Sequence, residues 1–234
     1  MTLEALRREL RALADPTKAA VLQRFFKTGP GEYAEGDQFL GVKVPSLRAL
    51  VKRYRELSTA SVLELLGSPL HEERLLALLL LVQRFQRANE QERRSIYRTY
   101  LVNTAYINNW DLVDSSAEHI VGAWLCDKSR RPLHTLARST SVWERRVSIL
   151  ATFHFIKQYE FDETLAIATQ LLDDGHDLIH KAVGWMLREV GKRDRKAEEA
   201  FLLQHYRQMP RTMLRYAIEK FPEQRRRRYL AGTI

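Results

Sequence analysis

The segment NNWDLVDSS carries an indole and a carboxylate four residues apart, at Trp110 and Asp114. Residues at this spacing project from the same side of a helix. A later segment, KAVGWMLRE, places a cation, an indole and a second cation at similar spacings, at Lys181, Trp185 and Arg188. A carboxylate and two indoles among bases are more than a simple phosphate-binding surface requires, so these residues are candidates for a functional site.

Short stretches that begin with a basic residue and run into an apolar helix recur along the chain, at Arg74, Arg146, Lys181 and Arg215. Their spacing indicates a period of about 35 residues, one helical hairpin per repeat, with a further member near Trp110. A single hairpin cannot bury its apolar face, so we expect successive hairpins to stack into a curved α-solenoid with one concave surface. The second helix of each hairpin resembles those of HEAT-type units. The signature of tetratricopeptide repeats is not evident.

In this register the concave surface presents one strip of acid, indole and cationic side chains. Its members are Trp110, Asp114, Arg146, Lys181, Trp185 and Arg188, with Arg215 extending it. Each also has a structural interpretation, because a helical tryptophan is usually part of the core and an acid near a helix start usually complements the helix dipole. Because these residues occupy equivalent positions in the repeats, the functional interpretation is as well supported as the structural one.

The elements that would position these residues are nearly all helices. The chain has 234 residues, 45% of them hydrophobic, with seven prolines and ten glycines, and its long segments follow an i, i+3, i+4 apolar pattern. Helix boundaries are expected at pairs such as Asp15-Pro16 and Phe221-Pro222. We therefore expect one all-α domain of HEAT-like repeats over residues 1–234, ending in a basic tail at about 223–234 that contains Arg225–Arg228.

The charge balance favours a polyanionic partner. There are 38 lysines and arginines against 29 aspartates and glutamates, which gives a formal net charge of +9 and an isoelectric point near 9.8. Such an excess promotes association with nucleic acid or with an anionic membrane surface. The longest apolar run, Leu75–Val82, is too short to span a bilayer, and the first helix does not read as a secretory signal. We expect a protein of the bacterial cytosol or nucleoid, with no membrane partner.

Several other kinds of site are disfavoured. Cys126 is the only cysteine, so it can form neither an intramolecular disulfide nor a cysteine-rich metal site. His176 and His180 lie four residues apart in HDLIH, as in a zinc-protease helix, but Asp177 replaces the usual glutamate and no third ligand is evident. We therefore expect helix capping and solvation for these histidines, at a helix that starts after Asp173-Asp174-Gly175. No glycine-rich phosphate loop or G-x-S-x-G motif is present, which argues against nucleotide hydrolases and the common serine hydrolases.

Four segments resemble the HEAT-repeat alkylpurine DNA glycosylases of the AlkD type, the DNA alkylation repair enzymes. They are FLGVKVPSLRAL, NNWDLVDSSA, VWERRVSILATF and IHKAVGWMLREVGK, and they are spread over most of the chain. The patterns W-D-x-V-D and K-A-x-G-W-x-L-R-E, in that order, are far more specific than the repeat pattern. The resemblance, and not the composition, implies excision of DNA bases.

The resemblance carries roles onto individual residues around the substrate. Asp114 is similar to the family's catalytic carboxylate, and Trp110 and Trp185 are similar to the aromatic residues that flank the damaged nucleotide. Phe25 lies where the family can have a tyrosine near the lesion. Because phenylalanine has no hydroxyl, any hydrogen bond made by that tyrosine would be lost here.

The implied DNA contacts are cationic. Arg146 and Arg188 resemble DNA-contacting arginines of the family, and Lys181 and Arg215 join them through their places in the strip. Cations along such a strip would hold phosphates and fix the register of the duplex without reading its sequence. The expected partner is double-stranded DNA containing alkylated purines, bound by a monomer.

The implied activity is that of a DNA glycosylase acting on cationic N3- or N7-alkylated purines in duplex DNA. No lysine stands out as a Schiff-base nucleophile, so we expect a monofunctional enzyme that leaves an abasic site and uses no metal or cofactor. The alternative is a non-catalytic HEAT-type scaffold that binds nucleic acid through the same basic face. A protein-binding solenoid is a further alternative, and it would bury Trp110 and Trp185.

Overall fold

The computed structural model describes residues 1–234, and it consists of helices joined by turns and loops. It contains no β-strand, apart from one isolated bridge between Gln38 and Leu70. The all-α prediction is therefore confirmed. The chain forms two compact units, residues 1–116 and 117–234. The stacking of repeats into a single curved solenoid domain with a basic concave face stays a prediction.

The first unit is built around one long apolar helix. Its helices are α1 (Leu3–Ala12), α2 (Pro16–Phe25), α3 (Val44–Arg53), α4 (Thr59–Leu66), α5 (His71–Arg87), α6 (Glu90–Val102) and α7 (Trp110–Asp114), with a 3₁₀ turn at Thr104–Tyr106. In α5 every residue from Leu75 to Val82 is buried. A helix that is apolar on all sides must be covered on all sides, and α3, α4, α6 and α7 pack against it.

Side-chain caps explain where several of these helices begin. Asp15 accepts a hydrogen bond from the backbone N–H of Lys18, and Pro16 occupies the first turn of α2, as the Asp15-Pro16 pair predicts. Asn89 and Glu92 form a reciprocal capping box at the start of α6. Local sequence therefore fixes these boundaries before any tertiary contact is considered.

The second unit is centred on the two helices α10 and α13. Its helices are α8 (Ala123–Leu125), α9 (Arg131–Ala137), α10 (Val142–Ala151), α11 (Phe153–Ile156), α12 (Asp162–Gln170), α13 (Asp177–Gly191), α14 (Arg195–His205), α15 (Arg211–Ala217) and α16 (Glu223–Ala231), with a π-helical segment at Glu118–Gly122 and a 3₁₀ turn at Ile218–Lys220. Helix α13 packs against α10, α12, α14 and α15. Across both units, none of the helices combines the length and the hydrophobicity needed to cross a bilayer.

The C-terminal residues differ from the expected basic tail. Most of the segment 223–234 is helix α16, and Arg225–Arg228 lie within it. The helix is held by Tyr229, which is 1% exposed and packs edge-to-face on Phe221 and Tyr206. The sequence-based expectation missed this aromatic anchor because the adjacent run of arginines dominates the local composition.

Helices α13 and α15 approach each other closely at Gly184. A Cβ atom at this position would clash with the backbone oxygen of Met213 and the Cβ of Tyr216. The glycine of the K-A-x-G-W pattern therefore permits close contact between the two helix backbones, directly beside Trp185.

We expect Gly184→Ala to lower the free energy of unfolding by about 1–3 kcal/mol, because a methyl group here overpacks a helix contact. Gly175→Ala is the matched control, since a Cβ there meets nothing within 4 Å. It should change stability by less than about 0.5 kcal/mol. Urea denaturation followed by circular dichroism measures both, and equal stabilities for the two variants would contradict the close-contact interpretation.

Candidate functional site

Helix α7 carries Trp110 at its start and Asp114 at its end. The side chain of Asn109 caps it by accepting from the backbone N–H of Trp110 at 2.8 Å. Leu112 and Val113 are fully buried. A helix of five residues is not stable by itself, so its orientation depends on the residues that hold it.

A buried group of polar residues, here called the His71 cluster, holds the start of α7. The imidazole of His71, in the first turn of α5, has Nδ1 3.0 Å from Asp37 Oδ2 and Nε2 2.8 Å from Asp111 Oδ2. Asp37 also accepts from the Nδ2 amide of Asn109 at 3.1 Å and forms an ion pair with Arg74. These five residues tie both Asn109 and Asp111, at the start of α7, to α5.

The charges of the His71 cluster compensate one another. Burial disfavours the imidazolium and lowers the pKa of His71, but the hydrogen bonds to Asp111 and Asp37 outweigh burial and raise the pKa to about 9. Burial likewise raises the pKa of Asp37, yet its contacts with His71 and Arg74 hold that pKa below its usual value. At neutral pH His71 is therefore protonated and Asp37 is ionised.

A column of stacked rings supports the indole of Trp110. Phe26 stacks on Trp110 with ring centroids 5.0 Å apart and an interplanar angle of 13°. Phe39 stacks on Phe26 at 4.9 Å, and His71 stacks on Phe39 at 4.4 Å. Trp110 is thus the partly exposed end of a column that begins in the His71 cluster.

Phe25 lies beside the same indole. Its ring meets Trp110 edge-to-face, with centroids 6.0 Å apart, and the residue is 62% exposed. The structure therefore brings together two of the residues that the sequence assigns to substrate binding. Phe25 offers only apolar surface there, because it has no hydroxyl group.

A largely apolar cavity of about 690 Å³ opens next to these rings, between α2, the loop before α3 and the start of α5. Residues lining it include Val21, Phe25, Phe26, Phe39, Trp110 and Asp111. Surroundings with few polar groups strengthen the electrostatic interactions of any charge placed among them. The indole of Trp110 and the carboxylate of Asp111 both border this space.

Asp114 is partly buried at the C-terminal end of α7. Burial raises the pKa of the neighbouring Tyr100 phenol, and the negative charge of Asp114 adds to that effect. The Tyr100 hydroxyl is itself hydrogen-bonded to Ser116 Oγ at 3.0 Å. The Asp114 carboxylate therefore borders the core of the first unit while part of its residue surface remains accessible.

Trp185 is held by a different device in the second unit. Its indole N–H donates to Glu189 Oε1 at 3.2 Å, and its ring lies 6.0 Å from that of Phe153. Burial raises the pKa of Glu189, but ion pairs with Lys192 and Arg193 and the bond from Trp185 hold that pKa below its usual value. An ionised carboxylate thus orients the partly exposed indole.

Arg146 is buried, unlike an arginine that contacts phosphates at the surface. Its residue is 5% exposed, and its Nη1 donates to the backbone oxygen of Leu178 at 2.6 Å. Arg74, which shares its position in the repeat register, is also buried and anchored to Asp37. In the structure both arginines fasten one helix to another element of the same unit.

The other three predicted DNA contacts are more accessible. Lys181 pairs with Asp177 at 2.6 Å, and Arg188 pairs with Glu219. Arg215 is exposed on α15. Lys181, Trp185 and Arg188 share α13, as their spacing predicts.

The HDLIH segment has the role expected from its sequence. His176 caps α13, because its Nδ1 accepts from the backbone N–H of Leu178 at 3.1 Å. His180 hydrogen-bonds to the backbone oxygen of Asp174. The capping interpretation is therefore confirmed for His176, whereas His180 lies within the helix and contacts the turn that precedes it.

Five residues near the candidate site were missed from the sequence: Phe26, Asp37, Phe39, His71 and Asn109. The available signal was the segment HEER, which places four polar residues directly before the buried apolar run of α5. Polar residues that enter the core in this way require buried partners. Nothing in the spacing, however, identifies Asp37 as the partner.

The pKa of His71 predicts a loss of stability in alkali. Its value in the folded protein, about 9, lies above its ordinary value of 6.5, so protonation favours the folded state. Protonation of His71 stabilises the folded state by about 3 kcal/mol. This stabilisation is fully present below the ordinary pKa and is lost as the pH rises through the folded-state pKa. Urea denaturation over this range should show the decline, and His71→Gln should be less stable with a flatter profile. Parallel profiles for the two proteins would contradict this assignment.

Comparison with known proteins identifies the family of this chain. The sequence profile described as DNA alkylation repair enzyme matches residues 6–221. Among solved structures, a predicted DNA alkylation repair enzyme from Enterococcus faecalis has a similar fold, with a TM-score of 0.68 and 18% identity over 90% of this chain and 97% of that chain. A search of curated proteins gives no match. Because the profile covers nearly the whole chain, including α7 and α13, the protein belongs to the DNA alkylation repair enzyme family.

Proposed function

We propose that this protein is a monofunctional DNA glycosylase that removes cationic N3- or N7-alkylated purines from duplex DNA. Membership of the family supports a role in DNA alkylation repair. The observation that carries the finer proposal is the placement of Asp114, one turn after the partly exposed indole of Trp110, on a helix that the His71 cluster anchors. A rigidly placed carboxylate next to an aromatic face suits a reaction that develops positive charge on a sugar.

The proposed reaction is hydrolysis at the sugar C1′ atom. Alkylation gives the purine a positive charge, so the electron pair of the glycosidic bond leaves with the base, which departs as a neutral alkylpurine. The deoxyribose becomes oxocarbenium-like, and the Asp114 carboxylate stabilises that charge and orients a water molecule. The water oxygen bonds to C1′, its proton passes to the carboxylate or to solvent, and an abasic site remains.

The two indoles supply the preference for a charged lesion. Trp110 is fixed by its stack on Phe26, and Trp185 is fixed by its hydrogen bond to Glu189. An indole face attracts a cationic ring by about 0.5–2 kcal/mol, whereas an undamaged neutral purine lacks this attraction. Phe25 adds apolar surface beside Trp110.

The DNA backbone would be held by the accessible cations. Arg215 is exposed, and Lys181 and Arg188 can exchange their carboxylate partners for phosphates. For Arg146 we propose a supporting role, because it is buried and holds the backbone at Leu178, in the first turn of the helix that carries Lys181 and Arg188. The formal charge of +9 supports binding that weakens as salt rises.

Asp114→Asn tests the central assignment. Release of 7-methylguanine from methylated duplex DNA should fall by about 100-fold or more, because the amide keeps the size of the carboxylate but removes its charge. Binding of the same DNA should change by less than about 3-fold, since phosphate contacts dominate affinity. Single-turnover base release and fluorescence anisotropy measure the two quantities.

Asp173→Asn is the matched control, because it removes the same charge from an exposed position outside α7. It should release base at the rate of the parent protein. Unchanged release by Asp114→Asn would refute the catalytic role. Salt-dependent DNA binding by the parent without any base release would instead support the non-catalytic scaffold.

A further inference from the structure

The His71 cluster joins three separate parts of the first unit. Asp37 belongs to the loop between α2 and α3, His71 and Arg74 to the first turn of α5, and Asp111 to the first turn of α7. His71 contacts both of the other parts, and Asp37 adds a second link to the start of α7 through its hydrogen bond from Asn109. His71 is 2% exposed, so it offers almost no surface to a substrate, although it lies in the wall of the cavity beside Trp110.

The geometry fixes the state of the imidazole. Both ring nitrogens face carboxylate oxygens, at 3.0 Å for Asp37 and 2.8 Å for Asp111. A carboxylate only accepts hydrogen bonds, so both nitrogens must donate and the ring must be an imidazolium. With Arg74, the cluster then contains two positive and two negative groups, which is the balance that buried charges require.

Asp111 depends on this one bond. Its second oxygen, Oδ1, is buried and has no hydrogen-bond partner. The Asp111 side chain is 19% exposed and borders the cavity, so loss of the His71 contact would leave a partly buried carboxylate without its hydrogen bond and would favour movement of the first turn of α7 toward solvent. Trp110 precedes Asp111 directly and Asp114 follows it by less than one turn, so such a movement would redirect both.

We propose that His71 is a positioning residue, which holds Asp111 and thereby sets the direction in which Trp110 and Asp114 face the substrate. This inference rests on the proposed glycosylase function. The column of rings supports it, because His71 reaches Trp110 a second time through Phe39 and Phe26. A residue that acts in this way should affect the chemical step more than DNA binding, since a misplaced carboxylate loses rate while phosphate contacts remain.

His71→Gln in the full-length protein tests the proposal. Single-turnover release of 7-methylguanine at saturating enzyme should fall by about 10-fold or more, whereas the Kd for the same methylated duplex should change by less than about 3-fold. Glu73→Gln is the matched control. Glu73 lies two residues away on α5, is equally buried and pairs with Arg7 at 3.1 Å on α1, away from α7. It should lose stability but keep the rate within about 2-fold, measured well below the melting temperature of each variant.

Asp111→Ala serves as the second variant if His71→Gln does not fold. It removes the α7 end of the contact and leaves His71 bonded to Asp37, and it should reduce the rate to a similar extent. Where both fold, the loss in the double variant should be smaller than the sum of the two single losses, because both changes break the His71–Asp111 contact. Parent-like rates in the variants that fold, additive losses, or equal losses in Glu73→Gln would each overturn the positioning role.

A readout that does not depend on activity separates this inference from the proposed function. In protein labelled with 5-fluorotryptophan, the ¹⁹F resonance of Trp110 can be assigned by its absence in Trp110→Phe. We expect His71→Gln or Asp111→Ala to shift that resonance and Glu73→Gln to leave it in place. If the parent protein releases no base, the glycosylase proposal fails, but the resonance still reports whether His71 orients α7. An unmoved Trp110 resonance in His71→Gln would overturn the inference.

Discussion

Charges buried in the apolar interior of the first unit must be neutralised by one another, and this constraint organises the start of α5. Four consecutive residues there are almost completely buried, and each has polar partners elsewhere in the unit. His71 contacts Asp37 and Asp111, Glu72 accepts from the backbone N–H groups of Leu40, Gly41 and Val42, Glu73 pairs with Arg7, and Arg74 pairs with Asp37. Desolvating so many charges is unfavourable unless every partner is in place. The turn therefore specifies how α1, α7 and the loop before α3 are arranged around the apolar helix.

In the second unit, close packing of two helices takes the place of the buried charges that hold the first unit together. Its central contact, between α13 and α15, depends on the missing side chain at Gly184. The neighbouring indole of Trp185 is oriented by a single carboxylate, Glu189, whose charge is balanced by two cations on the same stretch of chain. Trp110 in the first unit and Trp185 in the second are both partly exposed. Stacked rings and buried charges hold the helix of Trp110, and a hydrogen bond and a close backbone contact hold the helix of Trp185.

Much of the helical framework could be read from the sequence, because it depends on local signals. Apolar periodicity locates the helices, and pairs such as Asp15-Pro16 mark where they begin. The contacts of the His71 cluster could not be read in this way, since Asp37 lies 34 residues before His71 in a loop without periodicity. The repeat register also gave no indication that Arg146 is buried, because a cation that reaches a backbone carbonyl has the same sequence pattern as one that faces solvent. In the C-terminal segment, the composition indicates a solvated basic tail, but the packing of the buried Tyr229 holds most of it as helix α16.

The concentration of contacts in one turn of α5 has a consequence for how the first unit opens. Helix α1, helix α7 and the loop segment Leu40–Val42 are far apart in the sequence, yet each of them forms hydrogen bonds with residues 71–74. A fluctuation that separates this turn from the core detaches the three together, so they form one cooperative unit whose amide protons exchange with a common opening free energy.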